Sequence, residues 1–277
     1  MSNVVKEFIR NPSAMAGSLI LILIIAIALA ADILFDGDPL NMVAPPLLWP
    51  GEDNHFLLGS DSLGRDVAAG LAHGARVTLL VGFVAALISL VIGGLVGCVA
   101  GYFGGWVEDV LVRLTEVFQT IPSFLLVIVL VVIGSSTVPV IVMSIGLASW
   151  PVIARLVRAE FRAYRESEFV LAARSLGFSS TRIIFKEIFP NVMPPVIVTM
   201  SVVVASAILI ETGLSFLGLG DPNVVSWGSM IGEGRDQLRT AWFLTALPGV
   251  FIIITVMALN LIGDGLNDAS NPRLRGL

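Results

Sequence analysis

The stretch VTLLVGFVAALISLVIGGLVGCVAGYF, residues Val77–Phe103, contains no charged side chain. Its apolar residues do not alternate with polar ones, and the run exceeds the roughly 20 residues that a helix needs to cross the hydrocarbon core of a membrane. Gly93, Gly94, Gly97 and Gly101 place small residues four apart, which lets a second helix approach closely. We therefore predict a membrane-spanning helix that packs tightly against a neighbour.

The composition extends this prediction to the whole chain. Of the 277 residues, 56% are hydrophobic and 13% are charged, and the mean hydropathy is +0.93. Soluble domains carry about 25% charged residues. Because the bilayer core offers no water, a spanning backbone must satisfy its hydrogen bonds within helices or a closed barrel. The length of the apolar runs favours helices, so we predict an all-α membrane protein.

Further apolar runs bring the prediction to six transmembrane helices. Besides Val77–Phe103 they are Ala14–Phe35, two helices within Val117–Ala154, Ile188–Ile210 and Ala241–Gly263. Gly134–Thr137 interrupts the long third run, and Pro122 is predicted to kink or start its first helix. Ala28–Ala30 resembles a signal-peptide cleavage site, but the surrounding run is longer than a typical signal core, which favours a retained helix.

The segments between the spans are predicted as follows. Asp36–Arg76 is a long polar loop rich in acidic residues, and Gly104–Glu116 is a short amphipathic connection. Leu217–Arg239 is a glycine-rich polar loop whose Trp227 suits a membrane interface.

The distribution of basic residues predicts the orientation. With six spans, 12 of the 16 basic residues collect on one side. They are Lys6, Arg10, Arg113, Arg155, Arg158, Arg162, Arg165, Arg174, Arg182, Lys186, Arg273 and Arg275. The positive-inside rule makes that side cytoplasmic, together with both termini.

The stretch Ser167–Pro190, SEFVLAARSLGFSSTRIIFKEIFP, is the longest polar interruption in the second half of the chain. Ser167 is a candidate N-cap, and Gly177 is able to adopt the left-handed conformation that ends a helix. Ser179 or Ser180 is predicted to cap a second helix, which Pro194 and Pro195 bound or bend. The pattern predicts a helix–elbow–helix that fits a groove on a soluble partner.

Several charged residues are candidates for further roles. Arg155, Arg158, Arg162 and Arg165 share one helical face, which either extends into solvent and lipid headgroups or pairs with acidic groups of a partner. Asp61 and Arg65 form a local pair if helical, beside Asp66, either as an interfacial turn or as part of a docking surface.

Glu211 ends the fifth predicted span. Because a charge at mid-bilayer is costly, we expect it at the interface or in a wet cavity, as a plain interfacial carboxylate or in gating.

Sequence motifs typical of catalysis are absent. The sequence contains no phosphate-binding G-x-x-x-x-G-K-[ST] motif, no zinc-ligand spacing and no evident nucleophile–base set. Cys98 lies in an apolar run and is interpreted as a packing residue, and His55 and His73 stand apart from any metal-ligand cluster. We expect neither an enzyme nor a resident metal or cofactor.

Four stretches resemble the permease subunits of ATP-binding-cassette (ABC) importers for dipeptides, oligopeptides and nickel. They are HFLLGSDSLGRDVAAGLAHGAR (His55–Arg76), LAARSLGFSSTRIIFKEIFPN (Leu171–Asn191), ETGLSFLGLGDPNVVSWGSMI (Glu211–Ile231) and NLIGDGLNDASNPRLR (Asn260–Arg275). With the span pattern, the resemblance covers nearly the whole chain. It implies a type I importer fold with six transmembrane helices and a bacterial inner-membrane location.

The second stretch resembles the family's coupling ("EAA") loop, which docks into an ATPase subunit. Ala172, Ala173 and Gly177 match its Ala-Ala-x-x-x-Gly core, and Pro190 matches its closing proline. The chain departs from the pattern at Leu171, where a glutamate belongs, and at Phe189, where a leucine is usual. Glu168, one turn earlier, is a candidate for the missing carboxylate, and Arg174 follows the alanine pair.

The resemblance implies a set of partners. They are a second, similar permease subunit, two cytoplasmic ATPase subunits that bind ATP and Mg, and an extracytoplasmic solute-binding protein. Membrane lipid surrounds the assembly, and no nucleic acid is expected. Asp61, Arg65, Asp66 and Glu211 become candidates for the extracytoplasmic or gating surface, and peptides are the expected substrate.

The expected organisation has three parts. Residues 1–76 form the tail, first helix and extracytoplasmic loop; 77–266 form a five-helix transmembrane core with the coupling loop at 159–190; and 267–277 form a cytoplasmic tail. Two other functions stay open from the sequence: an ion-coupled carrier, which the absence of charges inside the predicted spans disfavours, and a membrane scaffold.

Overall fold

The computed structural model describes residues 2–270. The regular structure in this range is helical, as predicted. Arg273 and Arg275, which the charge count places on the cytoplasmic side, lie outside the described residues, as does most of the predicted tail.

The helices follow one another along the chain with few long connections. They are α1 (Ser2–Arg10), α2 (Pro12–Leu34), α3 (Val67–Phe103), α4 (Gly105–Thr120), α5 (Ser123–Gly134), α6 (Val138–Arg165), α7 (Glu168–Ser175), α8 (Ser180–Arg182), α9 (Phe189–Phe216), α10 (Trp227–Gly234) and α11 (Phe243–Ser270). A π-helical turn, Ile183–Ile188, joins α8 to α9, so Ser180–Phe216 is one helical run of 37 residues.

The glycine spacing in α3 builds the central contact of the bundle, as predicted. A Cβ atom added at Gly93, Gly97 or Gly101 would come within 2.5–2.6 Å of an α6 atom. The nearest α6 atoms are the carbonyl oxygens of Trp150 and Ala154 and the Cβ of Phe161, respectively. Gly94 does not contribute, since a Cβ there would meet nothing within 4 Å. The three glycines at intervals of four residues therefore let the α3 and α6 backbones approach closely.

Small residues also seat the outer helices. A Cβ atom at Gly17 of α2 would lie 2.7 Å from the carbonyl oxygen of Ala258 in α11. A Cβ atom at Gly82 of α3 would lie 2.7 Å from the Ile208 side chain of α9. The core thus consists of α3 and α6 with α9 beside α3, and α11 lies between α9 and α2.

Helix α3 begins at Val67, so the prediction of a loop up to Arg76 is wrong for its last ten residues. The Asp66 side chain accepts a hydrogen bond from the Ala68 N–H and caps the helix. Arg76 escapes the apolar surroundings by reaching α2, where its guanidinium donates to the Ala28 and Leu29 carbonyls and lies 2.8 Å from Asp32. A cation near the carbonyl end of a helix is electrostatically favourable.

Within residues 2–270, five helices are long and apolar enough to cross a membrane, and a bent pair, α4 with α5, makes a sixth candidate span. The prediction that Gly104–Glu116 is only a short connection before a third span from Val117 is wrong. The α4 helix begins at Gly105, and the chain turns by 82° before α5. Ile121 is extended because it precedes Pro122, and α5 starts immediately after that proline. The kink at Pro122 is as predicted.

Helix α9 passes through Pro194 and Pro195 instead of ending or starting there. The π-helical turn lies directly before α9, where Pro190 also removes a backbone donor. The helix continues to Phe216, beyond the predicted end at Ile210, so Glu211 lies within it. The expectation that every span is free of ionisable groups is therefore wrong at this position.

We predict that Gly97→Ala destabilises the protein while Gly94→Ala does not. The Gly97 methyl group would clash with the Ala154 carbonyl and the Val157 Cβ, at 2.6 and 2.8 Å, and overpacking of this kind costs about 1–3 kcal/mol. Alanine at Gly94 meets no atom and gains up to about 1 kcal/mol of helix propensity. Thermal unfolding of the purified chain in lipid nanodiscs measures both; equal melting temperatures for the two variants would contradict the α3–α6 seam.

Candidate functional site

Helix α7 has a buried face and an exposed face, although it is only eight residues long. Val170 and Ala173 are buried, at 0% and 5% exposure, within the main core cluster. Leu171 and Ala172 face outward, and Leu176, just after the helix, is 72% exposed. The two alanines therefore differ in environment: Ala173 packs against the helical bundle, and Ala172 lies on the exposed surface.

The elbow after α7 depends on Gly177. Its φ of +76° lies in the left-handed region that favours glycine. The Gly177 N–H donates to the Arg174 carbonyl and the Phe178 N–H donates to the Ala173 carbonyl, at 2.9 and 3.1 Å, which is the Schellman arrangement. Ser179 caps the next turn by accepting from the Arg182 N–H, as predicted. A side chain at Gly177 would meet nothing within 4 Å, so the space around the elbow is open.

Aromatic and hydroxyl contacts attach α7 to two long helices. The Arg174 guanidinium lies over the Tyr102 ring at the end of α3, 5.4 Å from its centroid. Ser167 is the N-cap residue of α7, as predicted, although its side chain accepts no cap hydrogen bond and its hydroxyl donates to the Tyr164 carbonyl of α6. The Phe169 ring packs near the Tyr164 ring. These contacts attach α7 to the adjoining ends of α3 and α6.

The remaining predicted residues of this segment are also exposed. Glu168 lies in the first turn of α7, where a carboxylate complements the helix dipole. It is three residues before Leu171, so both lie on the same side of the helix. Pro190 lies in the first turn of α9. We call Ser167–Pro190 the elbow segment.

The predicted arginine face of α6 finds an acidic partner within the chain. Glu108 of α4 accepts from Arg158 at 2.7 Å and lies 3.3 Å from Arg162. Arg165 pairs with its neighbour Glu166 at 2.9 Å. The Glu108 side chain is only 13% exposed, so these contacts hold α4 against α6. The sequence did not predict Glu108 as the partner of these arginines. The one indication was that Glu108 lies in a segment predicted to be amphipathic.

At the far end of α9, the predicted residues of the first loop line a cleft of about 340 Å³. Asp61 and Arg65 are not on a helix. Instead, Asp61 accepts from the Leu63 and Arg65 N–H groups in a tight turn, and the Arg65 side chain lies 3.8 Å from it. Arg65 also binds Glu233 of α10 at 3.1 Å, a partner that the sequence did not predict. We call this space the cleft.

Two carboxylates at the cleft have opposite environments. Burial raises the pKa of Asp66 above its ordinary value, although hydrogen bonds from the Ala68 and Ala69 N–H groups act in the other direction. The pKa of Asp221 is lowered from its ordinary value. Burial acts to raise it, but this effect is outweighed by hydrogen bonds from the N–H groups of Asn223 and Val138 and from the Asn223 side chain. Asp221 thereby caps the start of α6 at 3.0 Å, where a negative charge is favourable.

Glu211 lies one layer below the cleft and not at its surface. It is 2% exposed and accepts from the Ser215 hydroxyl at 2.7 Å. Ser215 lines the cleft, so it connects the two layers. Trp227 is also buried, contrary to the prediction of an interfacial position, and its indole N–H donates to the Leu71 carbonyl. Helix α10 is therefore inserted between α3 and α9.

Two family models match the chain. One, described as "Binding-protein-dependent transport system inner membrane component", matches residues 93–276. The other, described as "N-terminal TM domain of oligopeptide transport permease C", matches residues 1–50.

Several curated proteins are similar over nearly the full length. A di/tripeptide transport system permease protein of Pseudomonas aeruginosa is 37% identical, with 98% of this chain and 91% of that protein covered. An oligopeptide transport system permease protein of Bacillus subtilis is 36% identical, covering 97% and 88%. A glutathione transport system permease protein of Pectobacterium atrosepticum is 35% identical, covering 98% and 90%.

Among solved structures, an inward-facing conformation of the MetNI methionine ABC transporter superposes with a TM-score of 0.60. The sequences are 18% identical, and the match covers 73% of this chain and 97% of the other. This likeness establishes the fold.

We predict that Asp66→Ala destabilises the protein by about 1 kcal/mol while Asp66→Asn does not, because asparagine caps a helix as well as aspartate does. The raised folded-state pKa adds a pH dependence. The wild type is most stable relative to the Asn variant below pH 3.8, the ordinary pKa, and loses that advantage as the pH rises through the folded-state pKa. Thermal unfolding across this range measures it; equal losses for Asn and Ala would contradict the capping role.

Proposed function

The chain belongs to the family of binding-protein-dependent transport system inner membrane components, and on that premise we propose that it forms half of an ATP-driven import pathway for peptides. The proposed substrates follow from its relatives, two of which are named as di/tripeptide and oligopeptide permeases. The proposed function is transport without catalysis: ATP and Mg bind to partner ATPase subunits, and this chain holds no cofactor.

The two-sided construction of α7 is the observation that carries the coupling proposal. Val170 and Ala173 anchor the helix in the core, whereas Leu171, Ala172 and Leu176 leave apolar surface free. Exposed apolar groups beside charged ones are typical of a protein interface. We assign this surface to an ATPase subunit, with Glu168, Ala172, Arg174, Gly177 and Pro190 in or beside the contact and Ala173 beneath it.

The proposed direction of force runs from the elbow segment to the cleft. Gly177 lies three residues before the helical run Ser180–Phe216, which is about 55 Å long at 1.5 Å per residue. Closure of the ATPase subunits around bound ATP would draw the elbow segment with them and tilt this run. The cleft at its other end would then change shape, which is a ligand-driven shift between two conformations.

The remaining partners of the proposed complex act at the membrane and outside it. A second permease subunit completes the pathway, and an extracytoplasmic binding protein delivers the peptide. Asp61, Arg65 and Asp66 belong to the surface proposed to receive that protein, with both termini and the elbow segment on the cytoplasmic side. The division into 1–76, 77–266 and 267–277, with the coupling loop at 159–190, stays a prediction.

We predict that Gly177→Asp leaves the protein folded and inserted but abolishes peptide uptake and binding-protein-stimulated ATP hydrolysis. Within this chain a Cβ atom at position 177 would meet nothing within 4 Å, so the main cost is about 1–2 kcal/mol for a left-handed residue. Loss of coupling would therefore arise from a clash or a buried charge at the partner surface.

Gly51→Asp is the matched control, because Gly51 has a φ of +80° and equally open surroundings in the first loop. Uptake of labelled di- and oligopeptides by membrane vesicles, with nickel ion as a competing substrate class, measures both variants. Normal uptake by Gly177→Asp would overturn the coupling role. Uptake of nickel but not of peptides would overturn the substrate proposal and leave the coupling role standing.

A further inference from the structure

Glu211 is a buried carboxylate, and among the described residues only one of its two oxygen atoms has a hydrogen-bond partner. The Ser215 hydroxyl donates to Oε1 at 2.7 Å. Within the described range 2–270, Oε2 is buried and has no hydrogen-bond partner. It borders a cavity of about 10 Å³, roughly the space of one water molecule. A half-satisfied carboxylate at this depth needs a further ligand.

The surroundings of Glu211 contain no positive charge to balance an ionised carboxylate. Around the cavity, α3 contributes Val77 and Val81, the start of α6 contributes Val138 and Ile141, and the segment before α10 contributes Val224 and Ser226. The one other charged residue at this cavity, within the described chain, is Asp221, which is also acidic. Burying an unpaired negative charge in an apolar site is strongly unfavourable.

The arginines that line the cleft, Arg65 and Arg235, have other contacts there. Arg65 binds Asp61 and Glu233, and Arg235 lies beside Asp236 and over the Phe216 ring. Neither borders the cavity that Glu211 lines.

The two carboxylates at the cavity therefore differ in which form the structure stabilises. Asp221 accepts three hydrogen bonds, from the N–H groups of Val138 and Asn223 and from the Asn223 side chain, each at 3.0 Å. Three donors and a helix N-terminus stabilise the charged form. Glu211 accepts from the Ser215 hydroxyl and shares its cavity with the Ser226 hydroxyl, the acidic Asp221 and apolar side chains, so the neutral form is the one that fits its site. Two neighbouring acids with such different environments are suited to different protonation states.

Glu211 also lies at the junction between two elements that must be able to separate if the cleft opens. Its partner Ser215 approaches Ser226, the N-cap of α10, at 3.5 Å between hydroxyl oxygens. A Cβ at Gly228 in the first turn of α10 would lie 2.7 Å from Thr212 of α9, so the two helices pack without space between them. Separation of α10 from α9 would therefore open Glu211 to bulk water.

We propose that Glu211 is a proton-binding site that latches α10 to α9. While α10 is seated, the carboxyl group holds a proton and remains neutral. When α10 separates from α9 and water enters, the proton passes to that water and leaves an ionised, hydrated carboxylate; reseating takes up a proton again. The latch would make closure of the cleft pH-dependent, with alkaline conditions favouring the open arrangement.

Infrared difference spectroscopy of the full chain in lipid nanodiscs tests the protonation directly. A protonated carboxyl group has a C=O stretch separate from that of a carboxylate. We expect such a band at neutral pH in the wild type, its loss in the isosteric Glu211→Gln variant, and its retention in Asp221→Asn, the matched control at the same cavity. A wild-type spectrum without the band, or a band that persists in Glu211→Gln, would overturn the proposal.

A labelling experiment tests the latch without any transport readout, so its outcome is independent of the function proposed above. Val224 borders both the cleft and the Glu211 cavity. In a chain with Val224→Cys and Cys98→Ala, raising the pH should increase alkylation of the new thiol several-fold more with Glu211 present than with Glu211→Gln, which cannot ionise. Equal pH profiles in the two backgrounds would show that Glu211 does not control access.

Discussion

The close contact between α3 and α6 is the interaction on which the rest of the structure depends. Three glycines at intervals of four residues bring the two backbones together, and no larger residue fits at those positions. Without a hydrophobic driving force between helices in lipid, such close packing is the main source of association. The contact also brings the polar end of α6 beside α4, so that Glu108 meets Arg158 and Arg162. The same pairing of α3 with α6 sets Tyr102 and Tyr164 where α7 can attach to both.

One helical run connects the elbow segment to the cleft. The helical run Ser180–Phe216 begins three residues after Gly177 and ends five residues after Glu211. Its first part is irregular, with a π-helical turn before Pro190, whereas the part near Glu211 is held by α3 and α10. If ATPase subunits bind the elbow segment as proposed, a continuous helix that carries the buried Glu211 near its other end could transmit a displacement without exposing polar backbone to lipid.

Much of the fold was predictable because it follows from local properties. The apolar runs predicted the spans, the glycine spacing predicted the α3 contact, and the turn residues Gly177 and Ser179 behave as their chemistry suggests. The errors arose where a distant partner decides the outcome. Arg76 lies inside α3, and not in the predicted loop, because α2 supplies Asp32 and two carbonyl groups as partners for its guanidinium. Trp227 is buried because α3 supplies a carbonyl acceptor, and Glu211 because α10 covers it. Such tertiary compensation cannot be inferred from spacing along one chain.

The proposed coupling role requires the elbow segment to face the cytoplasm, so the side of the membrane on which it is exposed is the property to measure. In a chain with Cys98→Ala, we would introduce Leu176→Cys at the elbow or Leu57→Cys in the first loop; both leucines are largely exposed, at 72% and 68%. The account predicts that a membrane-impermeant thiol reagent added to intact cells labels position 57 but not position 176, and that inverted vesicles reverse the pattern. Labelling of position 176 from outside intact cells would contradict the account.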